Sequence, residues 1–427
     1  MAEQVPQLKV EGLTEAFAQA GRMETGGGGV DSSQLVELAS QAPVVRLVDS
    51  VLLEAVNRRA SDVHIEAFEQ EMAIRYRIDG RCYQVAQPPK TLALALASRL
   101  KVLANMDVAE SRLPQDGRIL LTVNSRQIDL RVSTLPTLHG ESIVLRILDK
   151  GSLDSTLSQL GMDPAVQEAI ERLIQRPNGL LLVTGPTGAG KTTTLYACLT
   201  KLNRPEVKLI TTEDPVEYDL NGLVQVAVNA KIGLSFSTSL RAILRHDPDV
   251  IMVGEIRDLE TAQTAVQASL TGHLVFSTLH TNDAPGAVMR LLDMGVEPFL
   301  VTSTVTGVLA QRLIRTLCTQ CRAPVEPTPE ELAALHIRAD QLHTPLMRAV
   351  GCEACQGIGY KGRTGLYELL VITEAVRSLV IERASVSELR IRARTEGMRT
   401  LRQDGITKVL AGITTVEEMI RETQDYE

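Results

Sequence analysis

The sequence predicts an α/β fold, a mostly parallel sheet covered by helices on both faces, with a smaller mixed α/β domain before it. Three observations carry this. Short apolar runs at 179–184, 207–211, 250–253 and 274–277 alternate with stretches of helical periodicity, as buried parallel strands and their crossover helices do. The first of these runs leads into a glycine-rich loop and then a helix. The chain has 427 residues, more than one hydrophobic core usually organises.

Taken in order, residues 1–32 read as a flexible leader, because Gly26 to Gly29 offer no side chains to pack and lose much backbone entropy on ordering. Residues 33–150 read as the smaller α/β domain. Apolar positions recur at helical spacing from 33 to 57, with an interruption near Pro43. The alternating run 73–78 ends at Asp79-Gly80, a hairpin signal, and two more alternating runs flank Asn124-Ser125. Residues 151–178 are expected to be a linker and connecting helix that starts at Asp163-Pro164. The α/β core with the glycine-rich loop is expected over 179–315, a cysteine-bearing subdomain over 316–365 and a helical C-terminal subdomain over 366–427.

Bulk composition excludes some function classes. The net charge of -8 supplies no broad basic surface, and with 3% aromatic residues and no Trp, stacking platforms for nucleic acid are sparse. No apolar run reaches the 18 residues of a membrane span, and no apolar signal region stands at the N-terminus, so a cytoplasmic protein is expected.

Gly185-Pro186-Thr187-Gly188-Ala189-Gly190-Lys191-Thr192 fits G-x-x-x-x-G-K-[ST] in full, followed by Thr193 in the helix. Glycines let successive backbone N–H groups turn toward phosphates. Lys191 reaches the β and γ oxygens of ATP, Thr192 ligates Mg²⁺, and the helix N-terminus adds its dipole. Glu255 ends the apolar run that starts at Asp249, the arrangement that puts an acid beside Mg²⁺ or the attacking water. Glu213, Asp214 and Glu217 cluster after another strand, where a role at Mg²⁺ and a solvated acidic loop are equally compatible with the spacing. His273 and His280 bracket a strand. Sensing the γ-phosphate is one reading, and from the residues alone satisfied structural histidines are favoured.

Cys318-x-x-Cys321 and Cys352-x-x-Cys355 have knuckle spacing for tetrahedral thiolate ligation of Zn²⁺. Four thiolates close the coordination shell, so the site is expected to be structural. Cys82 and Cys198 stand alone and are read as buried small residues.

The stretches 185–192, 211–218, 247–258 and 272–282 resemble, in order, the Walker A motif, aspartate box, Walker B motif and histidine box of the type II secretion and type IV pilus assembly ATPases. The likeness runs from about residue 40 to the C-terminus. It implies a RecA-like ATPase domain, a hexamer, Glu255 as catalytic glutamate, His273 and His280 as histidine-box residues, and Glu213 and Glu217 as site residues. Arg131 and Arg146 match the segments whose arginines reach nucleotide phosphates in that family, and the tetracysteine subdomain is one its assembly members often carry.

The resemblance further implies partners: the cytoplasmic domain of an inner-membrane recruiter and a polytopic platform protein, with peripheral association at the inner membrane. Residues 289–300 and 310–315 read closer to the secretion branch, whose members drive a pseudopilus. Only about 30 residues precede the first helix, where family members often carry a further recruiter-docking domain. The alternatives are a pilus assembly ATPase, a nucleic-acid translocase, which the acidic charge and scarce aromatics oppose, and a nucleotide-sensing scaffold.

Overall fold

Helices α1 (Ser32–Ser40) and α2 (Ala42–Asn57) meet at Gln41, with Pro43 in the first turn of α2, where its missing N–H costs nothing. The structure is a computed structural model that describes residues 32–123, 125–149 and 156–424. Apart from Ser32, the expected leader lies outside the described residues, as do Asn124 and part of the expected linker. The chain divides between Ser152 and Leu153 into two compact units.

In the first unit α2 buries Val44, Leu47, Val48, Val51, Leu52 and Ala55, one stripe at helical spacing. Strands β1 (Asp62–Ala67), β2 (Met72–Ile78) and β3 (Arg81–Ala86) precede helix α3 (Ala93–Leu103). Strands β4 (Gln115–Val123), β5 (Arg126–Thr137) and β6 (Gly140–Asp149) complete a six-stranded antiparallel sheet of order β3-β2-β1-β6-β5-β4. The Asp79-Gly80 signal is the β2–β3 turn, where φ is 48° at Asp79 and 86° at Gly80, the left-handed pair a two-residue hairpin needs. Cys82 on β3 is half-buried, not buried as expected, because it falls on the strand face opposite the buried Tyr83 and Val85.

The second unit opens with helix α4 (Pro164–Ile174), whose N-cap Asp163 accepts from Ala165 N at 2.9 Å. The nucleotide half follows as β7 (Gly179–Thr184), α5 (Lys191–Leu202), β8 (Leu209–Glu213), β9 (Leu223–Ala227), α6 (Phe236–Ile243), β10 (Val250–Val253), α7 (Leu259–Leu270) and β11 (Leu274–Leu279). Helices α8 (Ala284–Asp293) and α9 (Pro298–Thr304) lead into the long β12 (Val305–Leu317). The cysteine region holds β13 (Ala323–Val325), α10 (Pro329–Ala334) and β14 (Leu346–Arg348), and β15 (Tyr360–Val371) follows. Four helices close the chain: α11 (Glu374–Ile381), α12 (Val386–Thr395), α13 (Leu401–Leu410) and α14 (Val416–Glu422).

The central sheet has the order β15-β12-β7-β11-β10-β8-β9, parallel throughout except for β15 against β12. Both faces are covered, as the apolar runs predict. On β7, Leu180 and Leu182 enter one core with α6, α7 and α8, while Leu181 and Val183 enter the other with α4 and α5. Strands β9, β12 and β15 carry no comparable isolated apolar run and are not expected from the sequence. The boundary expected at 365/366 falls inside β15, which joins the sheet through ten register pairs with β12.

Candidate nucleotide-binding active site

Every residue of β7 is buried, and the chain leaves its carboxyl end directly into the loop 185–190. Two glycines there are required by close approach. A Cβ on Gly185 would lie 2.4 Å from Gln311 O, and one on Gly190 would lie 2.9 Å from Gln311 Nε2, both on β12. Gly190 is the left-handed N-cap of α5, so the first N–H groups of the helix open toward the loop. Pro186, Thr187, Gly188, Thr192 and Thr193 are exposed, while Ala189 and Lys191 are buried. Lys191 Nζ donates to Gly185 O at 2.7 Å and to Pro186 O at 3.1 Å. Burial lowers its pKa to about 8, with Glu255 opposing the shift and Arg312 adding to it.

In the sheet order β7-β11-β10, the carboxyl ends bring this loop, His280 and Glu255 side by side. Glu255 Oε2 lies 3.3 Å from His280 Nε2, and Oε1 pairs with Arg257 at 2.6 Å. Burial pushes the Glu255 pKa up, but the Arg257 bond and charge, with His280, outweigh it and hold the carboxyl below its ordinary value. Arg257, absent from the sequence reading, stands two residues after Glu255 in the same Gly-Glu-Ile-Arg stretch, a usable signal. The loop and the histidine segment are also tied together, because Thr281 N donates to Thr184 Oγ1 at 2.9 Å.

Other expected site residues are placed differently. Glu213 is buried and accepts from Tyr196 OH, Thr211 Oγ1 and Gln225 Nε2, so its carboxylate is committed to holding α5 and β9 against β8. Asp214 is exposed and Glu217 half-buried, just past β8. His273 stands at the opposite, amino-terminal end of the parallel strands, before β11, with Nδ1 2.8 Å from Ala268 O. Since β11 and β7 are parallel with Leu274 opposite Gly179, six residues at about 3.3 Å each separate it from the loop, about 20 Å. The structure therefore does not bring His273 to this site within one chain. That corrects the expectation that both histidines attend the phosphates, and the reason is strand direction.

In the first unit Arg131 and Arg146 are register partners on β5 and β6, and so share one face. Arg146 Nε donates to Asp62 Oδ1 at 3.2 Å.

The four paired cysteines converge, all Sγ atoms lying within 4.8 Å of one another. Cys318 to Cys352 is 3.9 Å, Cys321 to Cys355 is 3.7 Å and Cys352 to Cys355 is 3.7 Å. A tetrahedron with Zn–S of about 2.3 Å has edges of about 3.8 Å, so this donor set fits Zn²⁺ without rearrangement. Backbone N–H groups of Gly351, Cys352 and Gly359 point at the sulfurs, as thiolates need. Cys198 is buried as expected, its thiol pushed up to about 12 by that burial.

Comparison with known proteins places these features among secretion ATPases. Residues 37–421 match the family described as Type II/IV secretion system protein. The chain is 53% identical over 393 residues to the Type II secretion system protein HxcR of Pseudomonas aeruginosa, covering 92% of this chain and 80% of that one. It is 50% identical over 398 residues to the Type II secretion system ATPase E of Vibrio cholerae, covering 92% and 78%. Among solved structures, the ADP-bound pilus retraction motor PilT is 27% identical with a TM-score of 0.59, over 88% of this chain and 97% of that one. The Legionella pneumophila ATPase DotB shares the fold at 22% identity, with a TM-score of 0.65 over 88% and 94%.

Proposed function

This chain belongs to the Type II/IV secretion system protein family, and on that footing we propose that it is the ATPase that powers protein export through a type II secretion system. As a member of that family it binds ATP with magnesium and hydrolyses it. The observation that carries the mechanism is the juxtaposition of the loop 185–192 with Glu255 and His280 at the carboxyl ends of the parallel strands. Backbone N–H groups and Lys191 would hold the phosphates, and Thr192 would hold a magnesium ion, which would supply charge neutralisation. Glu255, ionised at neutral pH, orients the attacking water and takes its proton, while His280 fixes the carboxylate.

Arg131 and Arg146 are assigned to the nucleotide phosphates in this reading, and in a hexamer hydrolysis drives a growing pseudopilus. Glu217 and Asp214 sit at the rim as second-tier acids. The tetracysteine cluster binds structural zinc and takes no part in hydrolysis. The partners in this reading are an inner-membrane recruiter and a polytopic platform protein. Among the described residues no helix is long and apolar enough to cross a membrane.

The test is Glu255→Gln. Turnover is expected to fall about 10²–10⁴-fold, with MgATP binding by calorimetry retained. Unchanged turnover would favour a nucleotide-sensing scaffold instead.

A further inference from the structure

The last pair of the β7–β11 ladder is Thr184 with Leu279, and on its other side β11 pairs with β10 only as far as Ser277 opposite Val253. His280 and Thr281 therefore run past the ends of both neighbouring strands. Thr184 takes over there with its side chain. It is fully buried, and its Oγ1 accepts from Thr281 N at 2.9 Å. The two hydroxyls lie 2.8 Å apart. Thr281 Oγ1 donates its one proton to Asp283 O at 2.9 Å, so between the hydroxyls Thr184 is the donor. The Thr184 hydroxyl thus both accepts from and donates to a residue 97 positions away.

The surroundings are anchored by other groups. Downstream, Asn282 O accepts from Arg312 at 3.0 Å, and Ala284 N donates to Glu368 at 2.8 Å. On the loop side, Lys191 Nζ donates to Gly185 O at 2.7 Å, and Gln311 stands close against Gly185 and Gly190. Taking away the Thr184 hydroxyl leaves the loop and α8 held and slackens the stretch between Leu279 and Asn282. His280 lies in that stretch. Its Nε2 is 3.3 Å from Glu255 Oε2, already near the long end of a hydrogen bond, so a small backbone displacement breaks the contact.

We propose that Thr184 is a positioning residue for hydrolysis, its hydroxyl holding the backbone at 280–281 so that the imidazole of His280 stays on the Glu255 carboxylate. This deepens the ATPase reading and rests on its assignment of Glu255 and His280. The chemistry required at 184 is a β-hydroxyl, which Ser shares and the similarly sized Val lacks. Val would leave the Thr281 N–H facing a methyl group.

The test is steady-state kinetics of the full chain with MgATP, together with ATP binding by calorimetry. Thr184→Val is expected to lower kcat about tenfold while the Kd for ATP stays within about twofold. Thr184→Ser is expected to bring kcat back to within about threefold of wild type. In the His280→Ala background the Thr184→Val change is expected to cost less than about twofold, because the group it positions is gone. Thr281→Val, at a half-buried position, is the second variant should Thr184→Val melt early. It removes the hydroxyl pair but keeps the backbone N–H, and is expected to lower kcat about threefold only where His280 is present. A penalty as large without His280 as with it would overturn the proposal. So would an unchanged kcat in Thr184→Val, or an effect on Kd alone, which would place the hydroxyl in the service of the loop. Failure of the ATPase reading shows separately, as unchanged turnover in Glu255→Gln, and failure of the histidine's part in it as unchanged turnover in His280→Ala.

Discussion

Glu255 and His280 face each other from the carboxyl ends of neighbouring parallel strands, Oε2 3.3 Å from Nε2, while Arg257 takes the other carboxylate oxygen at 2.6 Å. Two cationic or hydrogen-bonding groups on one acid keep it ionised, which a base needs. The relation also sets how activity should respond to pH.

A carboxylate acting as base is lost as pH falls through its pKa, so a depressed pKa moves that loss to lower pH. Arg257 is the largest of the lowering influences on Glu255. In Arg257→Gln the acid limb of the kcat profile is therefore expected to move to higher pH. A limb that stays in place, measured from pH 4 to 8, would remove Arg257 from this role.

The two histidines should separate. His280→Ala is expected to lower kcat by about 10–100-fold, since it removes a partner of the base. His273→Ala is expected to cost about 1 kcal/mol of stability through the lost bond to Ala268 O, and to leave kcat within about twofold. Turnover lost in His273→Ala at unchanged melting temperature would mean that His273 acts on a neighbouring chain's site.

Glu368 on β15 is buried, accepting from Ala284 N at 2.8 Å and Leu401 N at 3.3 Å, the first residues of α8 and α13. Burial pushes its pKa up to about 7, against the pull of those two N–H groups. The folded state then binds the extra proton between the unfolded pKa of about 4.5 and 7, so stability is greatest at the acidic end and falls as pH rises through that window. The total is on the order of 3 kcal/mol. Urea midpoints from pH 5 to 8 should diverge as pH rises, wild type falling while Glu368→Gln stays level, because the neutral amide has no proton to lose. Parallel curves would show that Glu368 does not carry the dependence.

The sulfur distances predict about one zinc per chain by elemental analysis. Cys318→Ser with Cys321→Ser should lose it and loosen the region from β13 to β14, read as early proteolysis there. ATP binding should persist. Stoichiometric zinc in that double variant would refute the tetracysteine site.

The sequence by itself determined the local, contiguous features. The loop from Gly185 to Thr192, the apolar strands leading to it, the Asp79-Gly80 turn and the cysteine pairs are legible because each is specified by residues a few positions apart. Glu255 belongs here too, since the strand before it dictates which edge it reaches.

Tertiary structure decided what depends on strand direction and on partners distant in the chain. His273 and His280 look equivalent in sequence, yet a six-residue strand separates them by its length. Glu213 reads as a candidate ligand until Tyr196, Thr211 and Gln225 are seen to occupy it. Gln311, which makes glycine necessary at 185 and 190, is more than 120 residues from that loop. Only the pairing of β12 with β7 reveals it, because hydrogen-bonded register, and not spacing along the chain, fixes what stands beside the nucleotide loop.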